Sequence, residues 1–99
     1  MSYIVQIRPE AEADIEEAAL WYEEQQQGLG GRYLNEVVAA VQRIAAIPTL
    51  YPVVYRNLRR SLLHKFPFAV YFAEKEDVIV IHAVLHGSRH PKNWKFRSL

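Results

Sequence analysis

The sequence predicts an α+β domain: a small antiparallel β-sheet with an N-terminal helical hairpin packed on one face, in the order β-α-α-β-β-β. Three features of the 99-residue chain lead there. Apolar residues recur at helical spacing in two successive stretches between Glu10 and Ile47. They alternate with a period of two from Arg59 to His86. Only short glycine-rich or charged breaks interrupt these stretches, so successive helices should form a hairpin and successive strands should pair antiparallel.

Tyr3 to Arg8 is short and β-branched, a strand by composition. Pro9 suits a helix start, where a missing N–H is harmless. Ala11, Ile15, Ala18 and Tyr22 then form one helical face, and Glu10, Glu12, Asp14, Glu16 and Glu17 crowd the first turns, where the helix dipole favours anions. Gln25 to Gly31, with three glycines in four residues, should break the helix. A second helix is expected from Arg32 to Ile47, with Leu34, Val37, Val38, Val41, Ile44 and Ala45 at helical spacing and Pro48 as its stop. Thr49 to Asn57 reads as an irregular connection between prolines. Arg59 to Phe66, Phe68 to Glu74 and Val78 to His86 are strands, with Glu74 to Asp77 as a polar turn. Gly87 to Leu99 is a basic, aromatic tail.

The length fits one domain, residues 1–99, with two packed layers and no room for a deep cofactor cavity. No run reaches the roughly 20 apolar residues of a membrane helix. Met1 to Arg8 lacks the pattern of a secretory signal, and cysteine is absent, so a cytoplasmic protein is expected, without disulfides or thiolate chemistry. Residues 1–50 hold three basic and eight acidic side chains, residues 51–99 nine and three, or −5 against +6. Such asymmetry describes either two solvated faces or a surface that attracts polyanions.

Arg59 and Arg60 are adjacent on a strand and should point to opposite faces, either discouraging stray strand pairing or meeting a phosphate or acidic partner. His82 and His86, four apart, should share a strand face; without a third ligand they read as structural rather than as a metal pair, and no metal or cofactor is expected. His64 alternates with Leu63 and Lys65 and should be partly exposed, and His90 is a surface group. Tyr22 continues the core stripe, which leaves Trp21 at the helix margin, covering the helix seam or facing a groove. Ser88 to Arg97 interleaves Arg89, Lys92, Lys95 and Arg97 with Trp94 and Phe96. The aromatics would dock on the sheet and the cations would face an acidic surface or nucleic acid.

Taken together, Trp21-Tyr22-Glu23, Gly28-Leu29-Gly30, Ile47-Pro48, Tyr51-Pro52, Arg59-Arg60, Phe66-Pro67-Phe68-Ala69-Val70-Tyr71, Ala83-Val84-Leu85-His86, Ser88-Arg89, Pro91 and Trp94 resemble the RelE/ParE superfamily of type II toxin–antitoxin toxins, in its ParE-like branch. The resemblance implies a growth-inhibiting protein neutralised by a cognate antitoxin, which wraps it through helix-in-groove and strand-addition contacts. It implies DNA gyrase as the target, operator DNA bound only through the antitoxin, and no membrane. Antitoxin contacts would fall on Trp21, Tyr22 and Tyr71, and target contacts on Arg59, Arg60, Arg89, Lys92, Trp94, Lys95 and Arg97. RelE-like relatives cleave messenger RNA on the ribosome, for which Arg59, Arg60, His64, His86 and Arg89 would be the candidate parts. Those nucleases typically carry a cation where this chain has Phe68 and a C-terminal tyrosine where it has none, so a protein-binding inhibitor rather than an enzyme is expected. A non-toxic partner-binding member is the further alternative on the same scaffold.

Overall fold

The computed structural model describes residues 3–94. Strand β1 (Ile4–Ile7) leads through Arg8 into helix α1 (Pro9–Gln25), and α2 (Leu29–Ala46) follows after a tight turn. Short β2 (Val53–Tyr55), then β3 (Leu58–Leu62), β4 (Phe68–Lys75) and β5 (Val78–His86) complete one five-stranded sheet of order β1-β5-β4-β3-β2. The helical hairpin covers one face of it. The α+β class and the element order are those expected, with two differences in the sheet.

The first is that the sheet is mixed. Strands β2 to β5 pair antiparallel, whereas β1 runs parallel to β5, with Ile4 opposite Val78 and Ile7 opposite Ile81. The meander leaves β5 with a free edge, and α1 packs against β5. A strand that runs straight into α1 therefore takes that edge. The second is β2, which lies in the stretch expected to be irregular. It is a three-residue edge strand closed onto β3 by Arg56 and Asn57, with Arg56 in the left-handed region (φ 52°). So short an edge segment, placed just after Pro52, carries almost no periodic signal.

The glycine-rich break is shorter than its composition implies. Gly28 alone makes the turn, at φ 88°, and α2 begins at Leu29, which places Gly30 and Gly31 inside the helix. A Cβ on Gly30 would lie 2.6 Å from the Ala19 carbonyl oxygen, so the two helix backbones touch there. Glu23 secures the junction by accepting from the Gly28 and Gly30 N–H groups at 2.9 and 3.0 Å. Gly30→Ala is expected to push the helices apart and cost about 2–3 kcal/mol of stability, read from the urea midpoint. An unchanged midpoint would show that the seam has slack.

Both sheet faces are buried. Under the helices lie Ala11 and Ala18 of α1, Tyr33, Val37, Ala40 and Ile44 of α2, and Val70, Phe72, Ile79, Ile81 and Val84 of the sheet. The outer face gathers Leu58, Ala69, Tyr71, Ala73, Ala83 and Leu85 beneath Trp94. The sheet pairing skips His82: Tyr71 faces Ala83 but Phe72 faces Ile81. This bulge reverses the alternation, so odd-numbered residues of β5 face the helices before it and even-numbered ones after it. His86, past the bulge, lines a cleft with Asp14 and Phe68, whereas His82 is the extra residue of the bulge and its Nδ1 lies 3.3 Å from Arg8 Nη1, so the even spacing of the two histidines no longer implies a shared face.

Within α2 the buried stripe is Tyr33, Val37, Ala40 and Ile44, so the apolar periodicity is wider than the core it serves. Leu34 and Val38 are 40% and 55% exposed. Tyr33 is wholly buried among Tyr22, Phe66 and Phe68, and its hydroxyl has no hydrogen-bond partner among the described residues. Burial above all, with Tyr22 and Asp14 adding to it, drives this phenol well above its ordinary value of 10.0. Tyr33→Phe is expected to raise stability by about 1 kcal/mol, since an unsatisfied buried hydroxyl is a penalty. Above the ordinary phenol pKa the unfolded chain ionises while the folded one does not, so stability contributed at neutral pH falls as pH rises past about 10. The variant should lose that part of the alkaline destabilisation; a lower thermal midpoint at pH 7 would reveal a bond the hydroxyl makes.

Candidate functional site: a basic sheet face and an apolar helix seam

Alternation along β3 separates the paired arginines as expected, since Arg59 pairs with Phe72 of the helix-side core and Arg60 with Tyr71 of the outer face. Arg59 Nη1 donates to the backbone carbonyls of Tyr51 at 2.6 Å and Thr49 at 3.4 Å. Its guanidinium is therefore a clamp on the turn after α2, a role no local pattern signals. Arg60 lies half-buried on the outer face, and Leu62 beside it is exposed.

After His86 the chain folds back over this outer face. Gly87 N–H donates to the Pro67 carbonyl at 2.9 Å, and His90 caps a short 3₁₀ turn, Pro91–Asn93, by accepting from Lys92 N–H at 3.2 Å. Trp94 then sits edge-on to Tyr71, their ring centroids 4.9 Å apart at 87°. His90 approaches Tyr55 at 5.9 Å, and the Arg56 guanidinium lies 5.2 Å above the same ring. Of the tail's expected anchors and cations, Trp94 docks on the sheet and Lys92 is exposed beside it. Tyr71 and Trp94 are themselves buried and present little to a partner while this packing holds. Arg60 pairs with Tyr71 across the sheet, Lys92 lies in the turn that leads to Trp94, and Arg56 stands over Tyr55; among the described residues none of the three is held in an ion pair. Lys95 and Arg97 lie outside the described residues.

Arg89 does not join this group. With Trp21, His86, Asp14 and Glu17 it lines a separate cleft of about 250 Å³ between the middle of α1 and the end of β5. There Asp14 accepts from Val84 N–H at 3.0 Å, tying α1 to β5 just past the bulge, and His86 Nδ1 contacts Ser88 Oγ at 2.9 Å. His64 is exposed in the loop between β3 and β4. The five nuclease candidates are thus divided between the two sheet faces and a loop. Among the described residues no three His, Asp or Glu side chains group as a metal site, and no helix is long and apolar enough to cross a membrane.

A second surface lies between the helices. From the Gly30 contact, Leu34, Val38, Val41 and Ala45 continue along α2 at spacings of four, four, three and four. Glu12 and Glu16 precede Ala19 and Glu23 along α1 in the same way. The seam therefore has one apolar and one acidic wall, with Leu20 exposed beside it. Trp21 is exposed and stands edge-on to Tyr22 at 5.2 Å. Tyr22 is half-buried, its phenol raised by burial, and packs against Phe66 at 4.9 Å. Leu34 and Val38 escape sequence reasoning because at helical spacing they are indistinguishable from core residues. Near the start of α2, Tyr22, Leu29, Phe66 and Pro67 floor a larger cleft of about 520 Å³.

The sequence profile of the ParE toxin of type II toxin–antitoxin systems (parDE) matches residues 5–91 of the chain. Among solved structures, the chain is similar to one described as a chromosomal ParDE toxin–antitoxin system from P. aeruginosa, with a TM-score of 0.77 and 17% identity. The match covers 86% of this chain and 96% of that one, and at this identity it speaks for the fold. No curated protein matches the chain in sequence.

Proposed function

Because the chain belongs to the ParE toxin family of type II toxin–antitoxin systems, we propose that it is the toxin of such a pair, a protein-binding inhibitor of DNA gyrase that a cognate antitoxin silences. The observation that carries this reading is the outer sheet face, where Arg60 beside Tyr71, Lys92 before Trp94 and Arg56 over Tyr55 have no internal ion pairs among the described residues. Cations left unpaired on a small domain favour a large anionic partner, such as an acidic protein surface or protein-bound DNA. The dispersion of Arg59, Arg60, His64, His86 and Arg89 supports inhibition by binding over RNA cleavage, which needs a proton acceptor, a proton donor and a phosphate clamp around one bond.

The antitoxin's place is the helix seam. Its apolar wall suits an amphipathic helix, and the Glu12–Glu16 wall suits lysines or arginines along that helix's edge. Operator DNA would be bound by the antitoxin's own DNA-binding part. Induced expression in a bacterium tests the reading: filamentous cells with DNA-damage signalling and continuing translation are expected, and co-expression of the antitoxin should restore growth. Prompt translation arrest with cleaved messages would replace gyrase inhibition with the ribosome-dependent nuclease. Normal growth with verified soluble protein would leave a non-toxic binder.

A further inference from the structure

We infer that the cleft at the start of α2 is a second anchor point for the antitoxin, receiving an aromatic or large aliphatic side chain of a segment that carries a carboxylate next to it. The inference rests on the antitoxin reading above and adds to the helix seam a site on the other side of α2. The cleft encloses about 520 Å³, ample for one large side chain and its neighbour, over an apolar floor of Tyr22, Leu29, Phe66 and Pro67. That floor is rigid, because Tyr22 and Phe66 are locked edge to face at 4.9 Å and both pack on the buried Tyr33. A preformed apolar socket orders nothing new when it fills, which favours affinity.

The rim decides the chemistry. Arg32 and Lys65 border the cleft from α2 and from the β3–β4 loop, both exposed and neither in an ion pair among the described residues. Lys65 holds the left-handed conformation (φ 69°), an uncommon state for a lysine, and lines the cleft from the β3–β4 loop. Glu36 also lines the cleft. A nucleic acid strand, with a phosphate at every nucleotide, would meet Glu36 as well as the two cations. A single carboxylate beside an apolar anchor can engage the cations and avoid it, so a peptide is the better occupant.

Calorimetric titration of the antitoxin, the product of the reading frame adjoining the toxin gene, into the full-length toxin tests this. Arg32→Glu and Lys65→Glu each reverse an exposed charge and should leave the fold intact by circular dichroism. Each is expected to weaken binding about five- to tenfold, and both together about 50-fold. Lys65→Gly, which keeps the left-handed turn and removes the side chain with its cation, should weaken binding about two- to threefold, less than the charge reversal. An Asp or Glu of the antitoxin changed to Lys should bind the doubly reversed toxin better than the wild type. Overlapping 12-residue antitoxin peptides should yield one binder, carrying an aromatic or large aliphatic residue next to an acidic one. Affinity within twofold of wild type for the doubly reversed toxin, with the wild-type complex forming normally, would overturn the inference and leave the antitoxin reading standing. Failure of the wild-type toxin to bind the antitoxin would overturn both. Binding of a single-stranded 12-nucleotide DNA that the reversals abolish would overturn the peptide assignment in favour of nucleic acid.

Discussion

Leu34→Glu combined with Val38→Glu is expected to weaken antitoxin binding by at least about 100-fold while the toxin stays folded and inhibitory. Both side chains are exposed in the free protein, so their replacement removes little from the core. In the complex they would be the apolar wall against which the antitoxin helix packs. A glutamate there must either be buried without a partner or hold the helix away from the seam. The new charges would also stand among Glu12, Glu16 and Glu23, so they can add only local repulsion. Surface plasmon resonance against the antitoxin reads the loss. Because the outer face is untouched, cells should die from this variant even when antitoxin is supplied, an outcome that a merely unfolded protein cannot produce.

Trp94→Ala is expected to lower stability by about 3–4 kcal/mol and to abolish inhibition, even at temperatures where the protein remains folded. The indole closes the outer core over Tyr71, Ala83 and Leu85. Without it the tail loses its anchor, and Lys92, in the turn just before it, loses its fixed place on the outer face. Trp94→Phe, which keeps an aromatic edge over Tyr71, should recover more than half of the lost stability and most of the inhibition. If the alanine variant unfolds near the wild-type midpoint, the tail is not part of the core. If it inhibits fully, the ordered outer face is not the working surface.

These predictions depend partly on features that were visible in the chain and partly on features that were not. Pro9, the acidic first turn and the Ala11-Ile15-Ala18-Tyr22 stripe marked α1, because a helix start is local chemistry. Strands β4 and β5 were equally plain as unbroken β-branched and aromatic runs, the mark of a strand buried on two faces, and the period of two along β3 placed Arg59 and Arg60 on opposite faces. Long-range choices were hidden. The parallel docking of β1 on β5 follows from where α1 lies, the His82 bulge shows only once β4 and β5 are in register, and Gly30 looks like a turn former until Ala19 is against it. The site was legible by the same rule. Trp94 as an anchor could be inferred from an aromatic residue set among cations. The diversion of Arg59 to the Tyr51 and Thr49 carbonyls could not, because those carbonyls come within reach only through the fold.

The central claim is that the basic outer face of this ParE-family chain acts on gyrase, and a supercoiling assay with purified gyrase tests it directly. Wild-type toxin should block supercoiling of relaxed plasmid and trap cleaved DNA. The combined charge reversal Arg56→Glu, Arg60→Glu and Lys92→Glu should remove both effects, and equimolar antitoxin should do the same for the wild type. Supercoiling that proceeds unchanged in the presence of excess folded toxin, or inhibition undiminished in the reversed variant, would contradict the account.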